Sequence, residues 1–538
     1  MRTLSKEGTS LTSDPKADVP DSSPGPASLA ALRDAVLKGC EPPPLRAVAR
    51  LPSYRWLVVG TVCIGAFMGQ VDASMTQILL PRLEHDFAAP LSNVSWVAVG
   101  YILAMASFMP IFGRLADMFG RKLLYTSSFL LFALGSALCG FAPSLLVLIA
   151  FRILQGIGAA LLAANSVAIV VLAMNPEERG RGLGLQSAAQ AIGLGAGPAL
   201  GGLILDTLGW HWAFWINVPV GVAGAVIGWF VIPQTRHLSK RGRFDWRGAL
   251  LIAPALTAVV AALNEGYAWG ATSPALIGCE VASIILLTLF ARAERRAETP
   301  LIDFQLLRQG AFLIGNLANF LSYAALFGLF FLVPFVLVRG YQDTALAAGL
   351  RLSIVPVMLG LLAPLGGALY DRFGARVVTA SGMVVCVAGL GVLHVFLDGS
   401  AANMPMVMLA LAIFGVGQGL FISPNSGAIM ATAPEELTGE AGSLLNMARY
   451  LGMSAGIASA SALLAMRLGA ATGLQGSTID ASAQTLVAAG RDVILLLGCF
   501  VALAGLLSLM RTVPRKAGGT DDGKPAAAPL WRLPPAKP

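Results

Sequence analysis

A ten-residue segment of this chain is written twice. GRLADMFGRK (Gly113–Lys122) and GALYDRFGAR (Gly367–Arg376) agree at Gly113 and Gly367, Leu115 and Leu369, Asp117 and Asp371, Phe119 and Phe373, Gly120 and Gly374. The echo reaches further. Asn165-Ser166 answers Asn425-Ser426, Pro176-Glu177-Glu178 answers Pro434-Glu435-Glu436, and Gly193 and Gly197 answer Gly452 and Gly456. The paired positions lie roughly 254 to 260 residues apart, so the chain reads as two homologous halves in the same orientation. Parallel halves of that size are one of the two ways transporter folds are built from repeats.

Composition says what fills the halves. Of 538 residues 56% are hydrophobic and only 12% charged, and the mean hydropathy is +0.73. A soluble domain carries about 25% charged residues, so the expected fold is an all-α polytopic membrane protein. The run Tyr54–Pro81 is the first of fourteen apolar stretches, long enough to cross a bilayer at about 1.5 Å per residue. Others fall near 94–112, 123–141, 145–171, 183–205 and up to 232, completing a first set of six. Basic linkers then flank two inserted stretches near 249–267 and 274–291, and six more follow from 311 to 510. The expected organisation is a polar tail over 1–53, a six-helix half over 54–232 and linkers with two inserted helices over 233–309. A second half over 310–511 and a tail over 512–538 complete it. Both tails read as disordered; within the first, Ser28–Gly39 has the spacing of a weak amphipathic helix. The polar first fifty residues leave the first span to act as an uncleaved signal.

The net charge of +8 follows from topology rather than nucleic-acid binding. With a cytoplasmic N-terminus, roughly 30 of the 37 Lys and Arg fall in inner segments. Both termini are then cytoplasmic, and the longest outer loop is a short polar one near Arg467–Arg491. The six cysteines are scattered without a CxxC or Cys/His cluster, so neither a disulfide framework nor a metal site is expected. No Walker, zinc or nucleophile-elbow pattern appears, which leaves no visible chemistry for an ATP-driven pump or an enzyme, and no cofactor is expected.

Charge within the apolar stretches is rare, and therefore informative. Asp72 in the first and Arg152 in the fourth are each costly in a bilayer, roughly 2.5–3.5 kcal/mol on insertion scales. An interior Arg lowers the pKa of a nearby carboxylate, so the two together could set when a proton leaves. Asp117 can pair with Arg114, Arg121 or Lys122, or with the positive end of a neighbouring helix, and so hold one gate state. In the fifth run, Gly193, Gly197, Gly201 and Gly202 permit close helix approach, and Pro198 removes a helix hydrogen bond. Asn316, Asn319, Tyr323 and Phe327 share a face of the first helix after the insertion. With Gln155, Gln190, Asn446 and Arg449 they are the candidate lining of a wet cavity, and Met68, Met105 and Met109 are its adaptable apolar wall.

These motifs together resemble the fourteen-helix drug:proton antiporter family of the major facilitator superfamily, the EmrB/QacA type, over about Arg55 to Met510. VDASMTQILLP (Val71–Pro81) resembles that family's first-helix signature, which implies a proton site at Asp72. Gly113–Lys122 resembles its gating loop, implying that role for Gly113, Asp117, Gly120 and Arg121, and for Asp371 in the second copy. Phe151–Gly158 resembles the fourth-helix motif whose Arg takes part in proton transfer, here Arg152. Gly193–Gly202 resembles the antiporter motif, with GPxxGG at Gly197, Pro198, Gly201 and Gly202. NMARYLGMSAGIA (Asn446–Ala458) resembles a family helix with an interior Arg, here Arg449. Gln77 and Ser74 depart from the pattern but keep hydrogen-bonding capacity beside Asp72. Asp72 stands almost alone as a cavity acid, which disfavours dicationic substrates and leaves neutral, zwitterionic or anionic lipophiles.

The resemblance implies a proton-coupled exporter of drugs or other small lipophiles, working by alternating access in a bacterial inner membrane. Its partners would be the lipophilic substrate, protons and the bilayer, with room for a separate periplasmic adaptor protein. The alternatives are an exporter dedicated to one endogenous metabolite or toxin, and an uncoupled facilitator.

Overall fold

Backbone N–H and C=O groups cannot stay unpaired in hydrocarbon, so an apolar run that crosses it must become a helix. A computed structural model describes residues 41–511 except 42, 236–244, 271, 298–301, 303, 435–436, 474–475 and 480. The expected helix at Ser28–Gly39, the C-terminal tail and the Glu435-Glu436 pair lie outside these residues.

Among the described residues, thirteen helical segments are long and apolar enough to cross a membrane. After the short α1 (Arg46–Ala49), the first half is built from α2 (Tyr54–Phe87), α3 (Leu91–Phe119), α4 (Arg121–Gly140), α5 (Leu145–Ala173) and α6 (Arg179–Thr207). It closes with the pair α7 (Trp210–Trp215) and α8 (Asn217–Val231). The insertion is a hairpin of α9 (Trp246–Trp269) and α10 (Pro274–Glu294), and α11 (Phe304–Arg308) leads to the second half. That half comprises α12 (Gly310–Phe335), α13 (Ala345–Leu352), α14 (Ile354–Phe396), α15 (Met404–Met430), α16 (Thr438–Thr472) and α17 (Ala483–Met510). The 43 residues of α14 would measure about 65 Å, twice the hydrocarbon thickness. The helix breaks at Gly374, whose φ of 78° and ψ of 164° are not helical. Two spans therefore meet there, as the sequence pattern expects.

The expected boundaries are corrected in three places. The first helix does not stop at Pro81. It runs on to Phe87 and ends at Ala88 in the left-handed conformation, φ 45°. A proline removes one N–H, and a buried helix survives the loss of one bond. Gly113 lies inside α3, so the turn rests on Gly120 alone, with φ 100°. The loop read as Arg467–Arg491 is shorter, because α16 continues to Thr472 and α17 starts at Ala483.

Within each half the first helix packs on the fifth, α2 on α6 and α12 on α16. The halves meet along two main seams, α3 against α16 and α6 against α13 and α14, and also where α2 touches α12. The inserted hairpin covers the first seam, since α9 touches both α3 and α16. Its attachment is polar. Trp96 Nε1 donates to Glu265 Oε1 at 2.8 Å, and Ser95 Oγ donates to Asn264 Oδ1 at 2.8 Å. Outward-facing Ile277, Val281, Ile284 and Ile285 of α10 are exposed, as a surface wetted by acyl chains would be.

Candidate functional site

Asp72 lies midway along α2, and its side chain is fully buried. Both carboxylate oxygens are engaged. Arg152 Nη1 donates to Oδ2 at 2.6 Å, while Gln155 Nε2 and Asn217 Nδ2 donate to Oδ1 at 2.9 and 3.0 Å. Arg152, also fully buried, donates through Nε to the carbonyl of Val97 at 3.0 Å and through Nη1 to Gln155 Oε1 at 2.6 Å. Its guanidinium carbon lies 4.2 Å from the centroid of Tyr101 and 5.6 Å from that of Phe214. Ser136 Oγ takes hydrogen bonds from Gln155 and Asn217 at 3.1 and 3.3 Å and passes its own proton to the carbonyl of Phe214 at 2.7 Å.

The arrangement has a definite chemistry. Ionised Asp72 is satisfied by one cation and two amides, the condition under which a buried ion pair persists. Oδ2 is held by Arg152 alone, so a proton arriving there competes with the guanidinium. Arg152 Nη2 has no hydrogen-bond partner, which leaves the cation a donor to spare.

The residues expected to assist Asp72 from the same helix do not. Ser74 Oγ donates to the carbonyl of Gln70 at 2.9 Å, and both side-chain polar atoms of Gln77 lack partners. Period 3.6 turns positions 74 and 77 away from 72. Gln155, expected in the substrate cavity, serves Asp72 instead. The aromatic stretch Gly209–Gly221 sends Phe214 and Asn217 inward to the pair. Asn217, Ser136 and Tyr101 were not singled out by sequence reading; a buried amide straight after a Trp-rich run was the available signal.

The glycines of α6 seat that helix on α2 and on the other half. A Cβ on Gly193 would lie 2.6 Å from the carbonyl of Phe67, and one on Gly197 would overlap Ser74 Oγ at 1.9 Å. A Cβ on Gly201 would meet Met75 Cγ at 2.6 Å. The next face crosses the seam: Gly202 abuts the carbonyl of Ala345, and the carbonyl of Pro198 abuts Gly349. The expected packing role for this motif is therefore met by contacts inside and between the halves.

At the end of the bundle holding Asp117, the turn closes on itself. Asp117 pairs with Arg121, and Thr235 Oγ1 accepts from the backbone N–H of Arg121 at 2.8 Å and of Lys122 at 3.1 Å. Buried Glu41 in turn accepts from Thr235 Oγ1 at 2.9 Å. Asp371, the second-copy counterpart, is exposed and has no ion pair among the described residues. At the opposite end the halves are locked by a carboxylate the sequence reading placed in a loop. Glu84 is fully buried, accepts from Thr478 N at 2.7 Å and Ser477 Oγ at 3.0 Å, and lies 3.5 Å from Arg339 Nη2. Asp206 at the end of α6 accepts from the N–H groups of Ala345 and Leu346 at 3.3 and 2.8 Å.

Between these ends lies a small central cavity of about 30 Å³, bordered by Gly69, Gln70, Met105, Gln190, Tyr450 and Met453 among others. Both halves contribute to it. Of the candidate polar residues Gln190 is in the wall, and of the expected apolar wall Met105 is. Asn316 and Asn446 donate to their own helices at 3.0 Å each, and Asn319 donates across to the carbonyl of Leu445 at 3.2 Å. Tyr323 lies beneath Arg449, whose guanidinium carbon is 5.1 Å from the ring centroid.

Comparison with known proteins agrees with this architecture. The chain is 33% identical over 419 residues to the riboflavin transporter RibZ of Clostridioides difficile, covering 77% of this chain and 89% of that one. It is 32% identical over 409 residues to a multidrug resistance protein B homolog of Mycobacterium tuberculosis, covering 75% of each. It is 29% identical to the tetracenomycin C resistance and export protein of Streptomyces glaucescens, covering 77% of each. Among solved structures, a bacterial homolog of the lysosomal transporter Spinster in an inward-facing, unoccupied conformation superposes with a TM-score of 0.62 at 14% identity, over 86% of this chain and 97% of that one. The xylose transporter XylE of Escherichia coli, in a partially occluded inward-open conformation, superposes at 0.59 and 15% identity, over 87% and 100%. The profile of the Major Facilitator Superfamily matches residues 62–457, and with two parallel six-helix halves around a shared cavity the chain belongs to that superfamily of membrane transporters.

Proposed function

We propose that this transporter is a proton-coupled exporter of small lipophilic compounds, of the fourteen-helix drug antiporter type, with Asp72 as its proton site and Arg152 as the internal competitor for the proton. The observation that carries the reading is the fully buried ion pair whose Oδ2 is held by the arginine alone. Protonation of Asp72 neutralises it and frees Arg152, which alters packing against Tyr101 and Phe214 next to the cavity wall. A proton bound from one side and released to the other then alternates with substrate. The electrical part of a proton gradient supplies about 2.3 kcal/mol per charge per 100 mV.

Export rather than uptake is supported by the α6 glycine motif and by the printed names of two relatives, a multidrug resistance protein and a resistance and export protein. The distribution of Lys and Arg supports the Asp117 end facing the cytoplasm of a bacterial inner membrane. The lock around Glu84 then closes the outer end, and substrate loads from within.

The test is reconstitution in proteoliposomes with an internal pH-sensitive dye and a panel of lipophilic fluorophores of differing charge. Wild type should couple fluorophore movement to an imposed pH gradient, and Asp72→Asn should abolish the coupling. Coupling that persists in folded Asp72→Asn rejects the proton site. Fluorophore flux that ignores the gradient in wild type points to a facilitator, and movement of a single compound only points to a dedicated exporter.

A further inference from the structure

Charge inside the two halves does not balance. In the first, the buried cation Arg152 is matched by Asp72. In the second, Arg449 lies in the spanning part of α16, one residue before Tyr450 and four before Met453, which both border the central cavity. Arg449 has neither an ion pair nor a hydrogen bond among the described residues, and its Nε is buried without a partner. Its neighbour is the face of Tyr323, at 5.1 Å. An aromatic face stabilises a cation modestly and cannot replace a carboxylate. An uncompensated charge at membrane depth is costly, and such residues mark substrate or ion pathways.

The neighbourhood offers acceptors for a bound molecule as well as the cation. Tyr450 borders the cavity from the second half, and Tyr101 covers Arg152 in the first. Asn319, one turn from Tyr323 on α12, keeps its Oδ1 buried and unpartnered. The apolar body of a ligand would lie against Ile102, Met105, Leu162 and Met453.

We propose that Arg449 is the counter-charge for an anionic group on the transported compound, so that this chain selects lipophiles carrying a carboxylate, sulfonate or comparable acid. The proposal rests on the exporter reading and narrows it to a substrate class. It has a consequence for energetics. A proton moving inward and an anion moving outward both carry positive charge inward, so an inside-negative potential drives such an exchange through both partners.

The experiment uses the full chain, purified and reconstituted, with three dansyl probes on one alkyl skeleton ending in a sulfonate, an alcohol or a trimethylammonium group. Binding is read by dansyl fluorescence, and transport under an inside-negative potential by flux. Wild type should favour the sulfonate. Arg449→Gln should weaken sulfonate binding roughly ten- to a hundredfold, the range for a lost hydrogen bond to a charged group, and leave the alcohol unchanged. Arg449→Lys should recover part of the loss, which a merely structural role would not produce. Preference of wild type for the ammonium probe overturns the proposal, as does sulfonate binding indifferent to Arg449→Gln or a wild type that binds none of the three. Asp72-dependent flux of the ammonium or alcohol probe together with sulfonate flux that is absent or indifferent to Arg449 sinks this inference and keeps the exporter reading. Loss of all Asp72-dependent coupling sinks the reading itself.

Discussion

In the first half of the bundle, the helix packed on the fifth carries a carboxylate, and every polar atom of that carboxylate is claimed by Arg152, Gln155 and Asn217. In the second half, the helix in the same place, α12, buries Phe327, Phe330, Phe331 and Phe335 instead. On its polar face Tyr323 meets Arg449, which has no ion pair among the described residues. The same backbone plan thus holds a closed ion pair on one side and an open cation on the other. The repeated scaffold is shared; the side chains set on it differ. A paired site suits a ligand as small as a proton, because only the balance of an existing contact must change. An unpaired cation suits a larger partner that brings its own charge.

The comparison breaks most sharply at the pair. Asp72→Asn should remove proton-coupled transport and leave Arg152 buried without a counter-charge, at a cost of about 3–5 kcal/mol. Thermal unfolding of the detergent-solubilised protein reads the stability, and proteoliposome flux reads the coupling. The double variant Asp72→Asn with Arg152→Gln should regain much of the stability and none of the coupling, giving an interaction energy of the size expected for residues in one network. Losses that simply add, with the double variant losing the sum of what Asp72→Asn and Arg152→Gln lose separately, would show that the two charges do not act as a pair.

Next in size is the close approach of α6 to α2 and to the second half. Gly197→Val places carbon where Ser74 Oγ and the carbonyl of Val71 already sit. Overpacking of that kind costs about 1–3 kcal/mol or more, and folded yield in detergent should fall. Gly197→Ala combined with Ser74→Ala should be milder than Gly197→Ala alone, because the hydroxyl at 1.9 Å is gone.

The lock opposite Asp117 should respond without loss of the fold. Glu84→Gln keeps the shape but removes the charge facing Arg339 and the full acceptor capacity offered to Thr478. The closed end should open more often, with a shift of about 1–3 kcal/mol, the cost of weakening a buried charged hydrogen bond. A cysteine at Ser461, introduced after the native cysteines are replaced, should label faster with a water-soluble maleimide in the Glu84→Gln background. Unchanged labelling would show that the lock is ornamental to the closed state.

The smallest effect belongs to the Asp117 turn. Asp117 and Arg121 are partly exposed, so water screens the pair and Arg121→Gln should cost under about 1 kcal/mol. A larger loss, read by thermal unfolding, would mean that Arg121 makes a second contact in another conformation.

Much of the architecture could be read from the chain. The duplicated Asp117 and Asp371 segments required parallel halves, and apolar runs of span length required helices, because hydrocarbon leaves the backbone no other partner. The pair itself was half legible: Asp72 and Arg152 stood out as charges in apolar surroundings, while Gln155, Asn217 and Ser136, which complete the shell, resemble any of the polar residues that helices in membranes use against one another. Glu84 was missed for a local reason. Pro81 suggested an end to α2 and put Glu84 in a loop, yet burial of the helix outweighed the loss of one hydrogen bond.

What the sequence determined alone was that the chain is built of apolar spanning helices in two parallel halves and which charges had to be hidden, since both follow from the cost of exposing polar groups to lipid. Which charges found partners was a tertiary decision. Asp72 and Arg152 are separated by eighty positions and meet at 2.6 Å only because α2 and α5 pack together. Arg449, equally conspicuous in the chain, is left with an aromatic face because the helix packed against it brings tyrosine and asparagine rather than an acid. Spacing along one helix sets which side a residue faces; only the packing of helices sets what it faces.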